Sequence, residues 1–534
     1  MVNKNLKIVI VDDSMVSYIS LKSMLTSIGF NNIQYFQDPL EYVRFLKKVK
    51  QDEVDIVFID YQMPVMNGLR VLYYTKFKFK DIITIMMTSS ISSKLKQKAI
   101  DYGVNEFMNK GIDFFEFQAK MKILSNLREY YYESKETQKK LEKILEYKDR
   151  QENLAVQKQL KIIEDKISNH FYKNWLIDSY FKPKDILSGD SYSTLKIEEG
   201  RFFISIVDGM GKGVSASLSS VLTVSFMNYS IAKSIEFNDF IFERVVKDTF
   251  NYASSIMLDN EALSFCMLEI NFNENYIKYA NMGMMPFYLL RGDEVIKIKP
   301  NNRPLLQSSK KFIIDKFDGD FDKLLVASDG LFESLNKQGI PYFIRFKQKF
   351  KDFYLLKELI EDFKENVEEA DDDMTIVFFK KDIDKYEILM DEDILLVQEN
   401  IEEFVNNLEF KLTKKLPIIA LNKVVFALNE LLINCYEHSV LKISKNKHEI
   451  IQKEKKIEYN GEKQFAKLRI LKSDKYVLID LTDNGDGFDV STILKSEWFD
   501  KYHGRGIKML KKLSDGIYYN EIGNRVKVYV NLRR

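Results

Sequence analysis

Acidic residues that end short apolar segments are the first feature of this sequence with chemical potential. Near the N-terminus, Asp12 and Asp13 end KIVIVDD, Asp60 ends DIVFID, Thr88 ends IITIMMT, and Lys110 follows a fifth apolar segment. In a parallel sheet the carboxyl ends of such segments meet at one edge, where ligands bind. The three carboxylates there predict a hard oxygen site suited to Mg²⁺. Asp60 is then the expected nucleophile toward a phosphoryl group whose oxygens contact Thr88 and Lys110.

A second group of acidic residues lies in the middle of the chain, again next to apolar segments. Its members are Asp190 in LSGDSY, Asp208 in IVDGMGKG, Asp329 in VASDGLF, and Asp372 with Asp373 in ADDDMTIVFF. Taken singly, an acid at a strand end is most often a turn or a helix cap. Because no histidine or cysteine accompanies these carboxylates, together they suit Mg²⁺ or Mn²⁺ rather than zinc. Two such ions about 3.5–4 Å apart activate a water and clamp a phosphate monoester for in-line attack.

A third group of chemical residues lies near the C-terminus and predicts an ATP site. The segment FALNELLINCYEHS places Glu430, Asn434 and Glu437 on one helix face, and Asp483 ends the apolar run LIDLTD. Asn434 is a candidate Mg²⁺ ligand, and Asp483 is a candidate acceptor for the adenine amino group. Glycines that let backbone and a helix N-terminus approach phosphates follow at Gly485, Gly487, Gly504 and Gly506.

Composition limits the class of protein. The 534 residues, 45% of them hydrophobic, predict three or four domains. A net charge of +1 gives no overall basic surface for nucleic acid or an anionic membrane, so we expect protein partners. Cys266 and Cys435 have no CxxC spacing and suit a reducing compartment. With neither a signal peptide pattern nor an apolar run of about 20 residues, the sequence predicts a cytoplasmic protein.

The elements that must position these residues change character along the chain, and the fold class is multidomain α/β and α+β. Alternating apolar and amphipathic segments predict a doubly wound parallel sheet over residues 1–126. Residues 127–168 are rich in Lys, Glu and Gln and predict one long helix, either a dimeric coiled coil or a helix packed on its own domains. A β-sandwich with flanking helices is expected over 169–383, and an α/β sandwich over 384–534.

The N-terminal residues resemble those of the CheY-like receiver family. The resemblance implies that an upstream histidine kinase or phosphotransfer protein phosphorylates Asp60, with Phe107 as the switch aromatic. Gly111 departs from the family, which usually has proline after the lysine. A degenerate receiver that is never phosphorylated is the alternative.

The middle region resembles the SpoIIE-like branch of the PPM metal-dependent protein phosphatases. The resemblance implies two Mn²⁺ or Mg²⁺ ions, both bridged by Asp208 and assisted by the carbonyl of Gly209. The remaining ligands it implies are Asp190, Asp329 and Asp372. The segment YANMGMMPFYLL fits the central hairpin of that family, with Met284 in place of a common histidine. A helix is predicted from about Val214 to Ala232, and its movement is expected to add or remove an ion at Asp208.

The C-terminal residues resemble the GHKL ATPases, most closely the RsbW/SpoIIAB serine kinases that bind sigma factors. The resemblance implies that Glu430 is the base toward a substrate serine. Tyr502 stands where those kinases often carry arginine, the last strand lacks the usual threonine, and the insertion after about Leu441 is long. An active kinase and a nucleotide-gated binding module therefore both stay open.

The order of the three regions resembles HsbR-like fused regulators of partner switching. That analogy implies a STAS anti-anti-sigma protein as substrate of the phosphatase and of the C-terminal domain, with a sigma factor as a further partner. The alternative leaves one catalytic output and makes the C-terminal domain a sequestering module for a sigma factor or STAS protein. A hybrid histidine kinase is rejected because no histidine lies between His170 and His438 to accept a phosphoryl group.

Overall fold

The computed structural model describes residues 6–533 except 51–52, 90–92, 211–213, 383–384, 438–463, 489 and 491–504. The chain divides into two compact units, Met1–Arg150 and Gln151–Arg534.

The first unit is built on a parallel five-stranded sheet of order β2-β1-β3-β4-β5. Its strands are β1 (Ile8–Val11), β2 (Ile33–Phe36), β3 (Ile56–Asp60), β4 (Ile83–Thr88) and β5 (Glu106–Asn109). Its helices are α1 (Met15–Ser27), α2 (Pro39–Lys48), α3 (Gly68–Lys78), α4 (Ser93–Asp101) and α5 (Phe114–Ile162). Every residue of β1 and β3 is buried, as expected of strands covered on both faces. The predicted doubly wound sheet is confirmed.

Helix α5 differs from the predicted linker helix at both ends. It begins at Phe114, and Phe117, Met121 and Leu124 pack into the core of the first unit. It ends at Ile162, so Ile163 and Ile167, which the sequence pattern placed on the helix, belong to the core of the second unit instead. The stretch between these ends carries exposed apolar side chains at Leu141, Ile144, Leu145, Tyr147 and Leu154. A coiled coil there stays a prediction.

The second unit begins with two packed sheets. One has six strands in the order β15-β12-β11-β10-β9-β6, and the other has eleven in the order β14-β13-β16-β17-β8-β7-β21-β22-β20-β19-β18. The strands up to the sandwich's end are β6 (Glu164–Asp165), β7 (His170–Tyr172), β8 (Trp175–Lys182), β9 (Asp190–Glu198), β10 (Arg201–Gly209), β11 (Leu263–Asn271), β12 (Tyr276–Met282), β13 (Phe287–Arg291), β14 (Glu294–Ile298), β15 (Asp315–Asp318), β16 (Lys323–Ala327) and β17 (Met374–Lys381). Side chains from both sheets share one apolar core, which confirms a sandwich.

Helices cover the outer faces of this sandwich. They are α6 (Val214–Glu236), α7 (Phe242–Ile256), α8 (Asp329–Phe332), α9 (Tyr342–Lys349) and α10 (Leu356–Asn366). The first two share a core with the six-stranded sheet, and the other three share one with the larger sheet. The expected central hairpin is wrong, because β12 pairs with β11 and β15 whereas β13 pairs with β14 and β16. The chain crosses from one sheet to the other at Gly283–Pro286, and Met284 is buried in the core between them.

In the described residues of the C-terminal part of the second unit, three helices pack on the far end of the larger sheet. Its elements are β18 (Glu387–Leu395), α11 (Gln398–Leu412), α12 (Ile418–Cys435), β19 (Phe465–Lys472), β20 (Tyr476–Asp483), α13 (Arg505–Leu513), β21 (Gly516–Tyr519) and β22 (Arg525–Asn531). By length and composition α12 alone among the described helices is apolar enough to cross a bilayer. Its apolar residues, such as Val424 and Leu428, instead belong to the core of this region.

Candidate functional site

The N-terminal carboxylates meet at the carboxyl edge of the parallel sheet, as predicted. Oxygen atoms of Asp12, Asp13 and Asp60 all lie within 4.8 Å of one another. The ammonium of Lys110 is 3.0 Å from Asp12 Oδ2 and 2.9 Å from Asp60 Oδ2. Burial raises the pKa of the Asp60 carboxyl, and the hydrogen bond from Lys110 partly offsets that effect. Three carboxylates facing one ammonium leave an excess of negative charge, which fits a divalent cation.

Backbone contacts hold the neighbours of this cluster. Thr88 ends β4 opposite Asn109, and Lys110 N donates to the Thr88 carbonyl at 3.3 Å. Gly111 N donates to Asn109 Oδ1 at 3.2 Å, a bond that the family's usual proline would not make. Gly68 was missed from sequence, although a Cβ there would lie 2.3 Å from the Asp60 carbonyl oxygen. The signal for it was the pair Asn67-Gly68, because Asn67 caps α3.

The acids of the middle region form a second cluster at the edge of the sandwich. Asp208 lies opposite Asp190 in the β9–β10 pair, Asp329 begins α8, and Asp372 shortly precedes β17. Burial and then the charges of Asp329, Asp372 and Asp373 raise the pKa of Asp208 to about 7. Burial and then the charge of Asp372 raise the pKa of Asp329 to about 6. Carboxylates that repel one another in this way fit a site for divalent cations.

The spacing of this second cluster is wider than that of the first. Among described residues, Asp12, Asp13 and Asp60 are the one group of three or more such side chains whose ligand atoms all lie within 4.8 Å. Asp208, Asp329 and Asp372 are therefore electrostatic neighbours that do not meet within that distance. Glu333, which was missed from sequence, also raises the pKa of both Asp208 and Asp329, after the larger effects of burial and the aspartates.

Two other acids of the middle region are held by protein donors. Asp190 is 1% exposed, and its Oδ2 accepts a 2.6 Å hydrogen bond from Thr375 Oγ1. Asp373 accepts from Gly189 N at 2.6 Å and Lys184 N at 2.7 Å, so it braces the loop that leads to Asp190. Asp372, in contrast, is only partly buried. These contacts separate Asp372, a candidate ligand, from its structural neighbour Asp373.

Two glycines allow helices to approach the second cluster closely. A Cβ at Gly209 would lie 2.4 Å from the Ala216 carbonyl oxygen on α6, and one at Gly330 would lie 2.1 Å from the Asp373 carbonyl oxygen. Gly209 was predicted for its carbonyl, whereas Gly330 was missed. The Asp-Gly pairs at 208–209 and 329–330 were the available signal.

The end of α5 also reaches this cluster. Gln159 Nε2 donates to the Ser188 carbonyl at 2.7 Å, and Ser188 N donates to Gln159 Oε1 at 3.2 Å. Asn228 on α6 donates from Nδ2 to the Ile162 carbonyl at 3.0 Å. The last turn of α5 is therefore bonded both to the loop before Asp190 and to the helix packed on Gly209.

The nucleotide-site residues of the C-terminal region are partly brought together. Asp483 ends β20, its Oδ1 accepts from Gly485 N at 2.6 Å, and its Oδ2 lies 3.5 Å from the Sγ of Cys435. Burial, followed by Asp483, raises the pKa of Cys435 well above its usual range. Gly487 has φ +74°, and a Cβ there would lie 1.9 Å from the Ile522 carbonyl oxygen, so no other residue fits.

Helix α12 carries the other two predicted residues of this region. Glu430 and Asn434 lie one turn apart and are partly buried. A Cβ at Gly506 would lie 2.0 Å from Glu430 Oε2, so the start of α13 abuts the Glu430 carboxylate. Gly504 and Tyr502 lie outside the described residues.

Three family models match the chain in succession. The response regulator receiver domain matches residues 8–122, Stage II sporulation protein E (SpoIIE) matches 198–382, and the histidine kinase-like ATPase domain matches 401–530. This order confirms the predicted succession of receiver, phosphatase and ATPase domains.

Individual proteins resemble parts of the chain. Chemotaxis protein CheY-3 of Vibrio cholerae is 34% identical over 110 residues, covering 20% of this chain and 82% of that protein. Stage II sporulation protein E of Priestia megaterium is 29% identical over 213 residues, covering 36% of this chain and 34% of that protein. Phosphoserine phosphatase RsbP of Bacillus subtilis is 32% identical over 114 residues, covering 21% of this chain and 27% of that protein. The chain thus spans about a third of the length of that sporulation protein.

Among solved structures, the RsbU and RsbW domains of a Mycobacterium tuberculosis protein are 13% identical to this chain. The alignment has a TM-score of 0.36 and covers 70% of this chain and 97% of the other.

Proposed function

We infer that phosphorylation of Asp60 controls a phosphatase within this chain. The chain belongs to the receiver family of response regulators. Its receiver is followed by a SpoIIE-type phosphatase domain and a histidine kinase-like ATPase domain. The substrate we propose is a phosphoserine or phosphothreonine protein of the STAS anti-anti-sigma class. The name of the relative RsbP, a phosphoserine phosphatase, supports the type of bond cleaved. We propose that the protein acts in the cytoplasm.

The observation that carries this proposal is the repulsion among the acids of the second cluster. Burial and the charges of Asp329 and Asp372 raise the pKa of Asp208, and burial and the charge of Asp372 raise the pKa of Asp329, as expected of carboxylates whose natural partner is a cation. These three, with Asp190 and the Gly209 carbonyl, would hold two Mn²⁺ or Mg²⁺ ions. When bound, such ions neutralise the charge of a phosphate monoester and lower the pKa of water. Thr375 keeps Asp190 oriented through its 2.6 Å hydrogen bond.

In the receiver, Asp60 would attack the phosphoryl group of an upstream histidine kinase or phosphotransfer protein. Asp12, Asp13 and Asp60 would hold the Mg²⁺ that neutralises this group. Lys110 places a positive charge at the same edge through its ion pairs with Asp12 and Asp60. These ion pairs would loosen when a phosphoryl oxygen pairs with the Lys110 ammonium.

The route from receiver to phosphatase that we propose is α5. Its first turns pack into the receiver core, and its last turn bonds to Ser188 and to Asn228 on α6. Movement of this helix would therefore shift the Asp190 loop and the start of α6 together. A second copy of the chain, paired through the exposed apolar residues of α5, would supply one way to move it.

For the C-terminal domain we propose ATP and Mg²⁺ binding, with Asn434 as the Mg²⁺ ligand and Asp483 as the adenine acceptor. Glu430 would take the proton of the STAS serine in the kinase reaction. The second candidate is a nucleotide-gated module that binds a STAS protein or sigma factor without phosphoryl transfer. It is favoured by the contact of the Glu430 carboxylate with the start of α13, because there it faces the protein instead of a substrate hydroxyl.

The test uses the full chain, Mn²⁺ and a STAS protein that carries phosphoserine. We expect release of phosphate that a chelator stops, and a rate that changes after treatment with acetyl phosphate and Mg²⁺. In the Asp60→Asn variant the basal rate should remain and the response should vanish. An equal response of that variant would show that Asp60 does not control the phosphatase. If no phosphoserine protein were hydrolysed, the proposed phosphatase activity would be wrong.

A further inference from the structure

The phosphatase and ATPase domains share one continuous sheet within the second unit. Strand β21 of the ATPase domain runs parallel to β7 of the phosphatase, and Tyr519 N donates to the Asn169 carbonyl at 2.8 Å. Beside this pairing, the Tyr518 hydroxyl donates to Asp178 Oδ2 on β8 at 3.2 Å. Backbone and side-chain bonds thus join the two domains along the same edge.

A cluster of tyrosines around one carboxylate makes the second part of this junction. Asp382, directly after β17, accepts from Tyr354 at 2.6 Å, from Tyr386 at 2.9 Å and from Tyr529 at 2.7 Å. Lys527 Nζ lies 3.5 Å from the same carboxylate. Because Tyr529 and Lys527 come from β22 of the ATPase domain, Asp382 is a fixed point between the domains.

Helix α10 of the phosphatase makes the third part. Lys357 Nζ donates to the Ser514 carbonyl at 2.7 Å and lies 3.7 Å from Asp515 Oδ1. The next residue, Glu358, lies 2.6 Å from Lys475 Nζ and accepts a hydrogen bond from the Tyr476 hydroxyl. The first turn of α10 therefore binds two separate segments of the ATPase domain, one at residues 514–515 and one at residues 475–476.

Each of these three phosphatase elements also leads to the acidic cluster. Asp372 lies just before the start of strand β17 and Asp382 directly after its end, and the eight residues of the strand span about 26 Å in extended conformation. Strand β8 carries Asp178 and is followed by Lys184, whose N donates to Asp373. Helix α10 ends at Asn366, shortly before the same acidic loop. The same three elements thus carry junction residues and lead to the candidate metal site.

In the ATPase domain, α13 connects the junction with the candidate nucleotide site. Its start abuts Glu430 in the candidate nucleotide site, and its end is followed at once by Ser514 and Asp515, which Lys357 contacts. A nucleotide that displaces the start of α13 from Glu430 would move a helix whose other end is bonded to the phosphatase.

We propose that nucleotide bound in the C-terminal domain is an allosteric ligand of the phosphatase in the same chain, acting through α13 and the junction at Lys357, Asp178 and Asp382. The proposal rests on the proposed ATP binding and phosphatase activities. Its energetic content is a coupling between two sites, for which factors of about 5 to 150 are typical. The ATPase domain then has a function toward its own chain besides any action on a STAS protein.

The experiment measures hydrolysis of p-nitrophenyl phosphate by the full chain at saturating Mn²⁺, with and without a saturating non-hydrolysable ATP analogue. We expect the analogue to change kcat/KM at least about fivefold. The Asn434→Ala variant, which should not bind the analogue, controls for removal of Mn²⁺ from solution. A fluorescent nucleotide measures binding separately.

Junction variants then test the route. Lys357→Met combined with Tyr518→Phe should bind the fluorescent nucleotide and hydrolyse the substrate as the wild type does, but respond less than about twofold to the analogue, since coupling lost through the junction leaves both sites intact. Lys364→Met, exposed on the same helix, should keep the full response. Nucleotide binding without any change in the wild-type rate would overturn this inference and leave the proposed activities standing. Absence of binding or of hydrolysis in the wild type would overturn both.

Discussion

Gln159 and Ser188 exchange two hydrogen bonds, one in each direction, at the point where α5 meets the loop that carries Asp190. Gln159 is 5% exposed, so its amide has lost contact with water and depends on these bonds. A helix that starts in the receiver thus ends in a buried polar contact beside the candidate metal site.

The Gln159→Ala variant should therefore weaken the control of the phosphatase more than its basal activity. We expect the phosphatase rate with Mn²⁺ to stay within a few-fold of the wild type, while the change caused by acetyl phosphate falls sharply. The Gln157→Ala variant, altered at an exposed residue of the same turn, is the control and should respond normally. A full response in Gln159→Ala would show that the signal passes elsewhere.

The other end of α5 is fixed by a buried ion pair. Arg128 Nε lies 2.9 Å from Asp55 Oδ1, and the two residues are 1% and 5% exposed. In Arg128→Met the Asp55 charge stays buried without its ion-pair partner. Among the described residues it keeps hydrogen bonds from the Tyr132 hydroxyl and from Lys7 N. Breaking such a pair costs about 3–5 kcal/mol. We expect faster amide exchange across β3 and the start of α5, measured by mass spectrometry on the full chain.

Arg150→Met is the matched control for that measurement, because Arg150 is exposed on the same helix. Its exchange pattern in the receiver should equal that of the wild type. Equal protection in Arg128→Met would mean that the pair contributes little to the receiver's stability.

The positions of the receiver acids were predictable because each directly follows an apolar run. A run of buried β-branched and apolar residues identifies a central parallel strand, and the residue after it must lie at the carboxyl edge. Asp12, Asp60 and Thr88 therefore needed no knowledge of distant contacts. The same reasoning found Asp208, which ends a strand in the sandwich.

Features that depend on pairing between distant segments were not predictable. The apolar runs of β12 and β13 are the same whether the two strands pair with each other or with different neighbours, so the sequence predicts a hairpin where the chain crosses between sheets. The start of α5 was misplaced because the helical period continues without a break from Phe117 into the linker. Asp178 and Asp382 gave no motif, since Tyr518 and Tyr529, their partners in the ATPase domain, lie far along the chain.

The three consecutive aspartates at 371–373 offer a test of the metal site. Asp372→Asn should lower the Mn²⁺-dependent rate about 100-fold or more, because a ligand is lost where even supporting residues cost about 10–100-fold. Asp371→Asn should stay within a few-fold, since the Asp371 carboxylate accepts from Leu335 N and is exposed. Phosphate release at several Mn²⁺ concentrations separates the two. The reverse order of effects would assign the ligand to Asp371.

In the ATPase domain, Asn434 and Glu430 should have separable effects. Asn434→Ala should lose affinity for Mg·ATP, because the ion links protein and phosphates. Glu430→Ala should keep that affinity but lose transfer of phosphate to a STAS serine, since a base acts only on the hydroxyl. Titration with a fluorescent nucleotide and transfer of labelled phosphate measure the two properties. A wild type that binds ATP and phosphorylates no STAS protein would favour the binding module.

Asp178 at the domain junction should make stability depend on pH. Burial is the main cause that raises its pKa to about 7, and the charge of Asp165 adds to it, while Ser179 N, the Tyr518 hydroxyl and Lys511 act in the opposite direction. An unfolded aspartate titrates near about 3.9. The folded protein thus binds more protons between these values. Its stability contribution is fully present below about pH 4 and is lost as pH rises through about 7.

Asp178→Asn should remove this dependence while keeping an oxygen that accepts from Ser179 N, whose bond to Asp178 Oδ1 is 3.0 Å. We expect the variant's Tm to gain on that of the wild type between pH 5 and pH 8. Tryptophan fluorescence follows the second unit, because Trp175 is buried in its core. Asp185→Asn, at an exposed aspartate of the same unit, is the control and should run parallel to the wild type. A constant Tm difference between Asp178→Asn and the wild type across this range would mean that Asp178 is already ionised at pH 5, with its junction hydrogen bonds formed to the charged carboxylate.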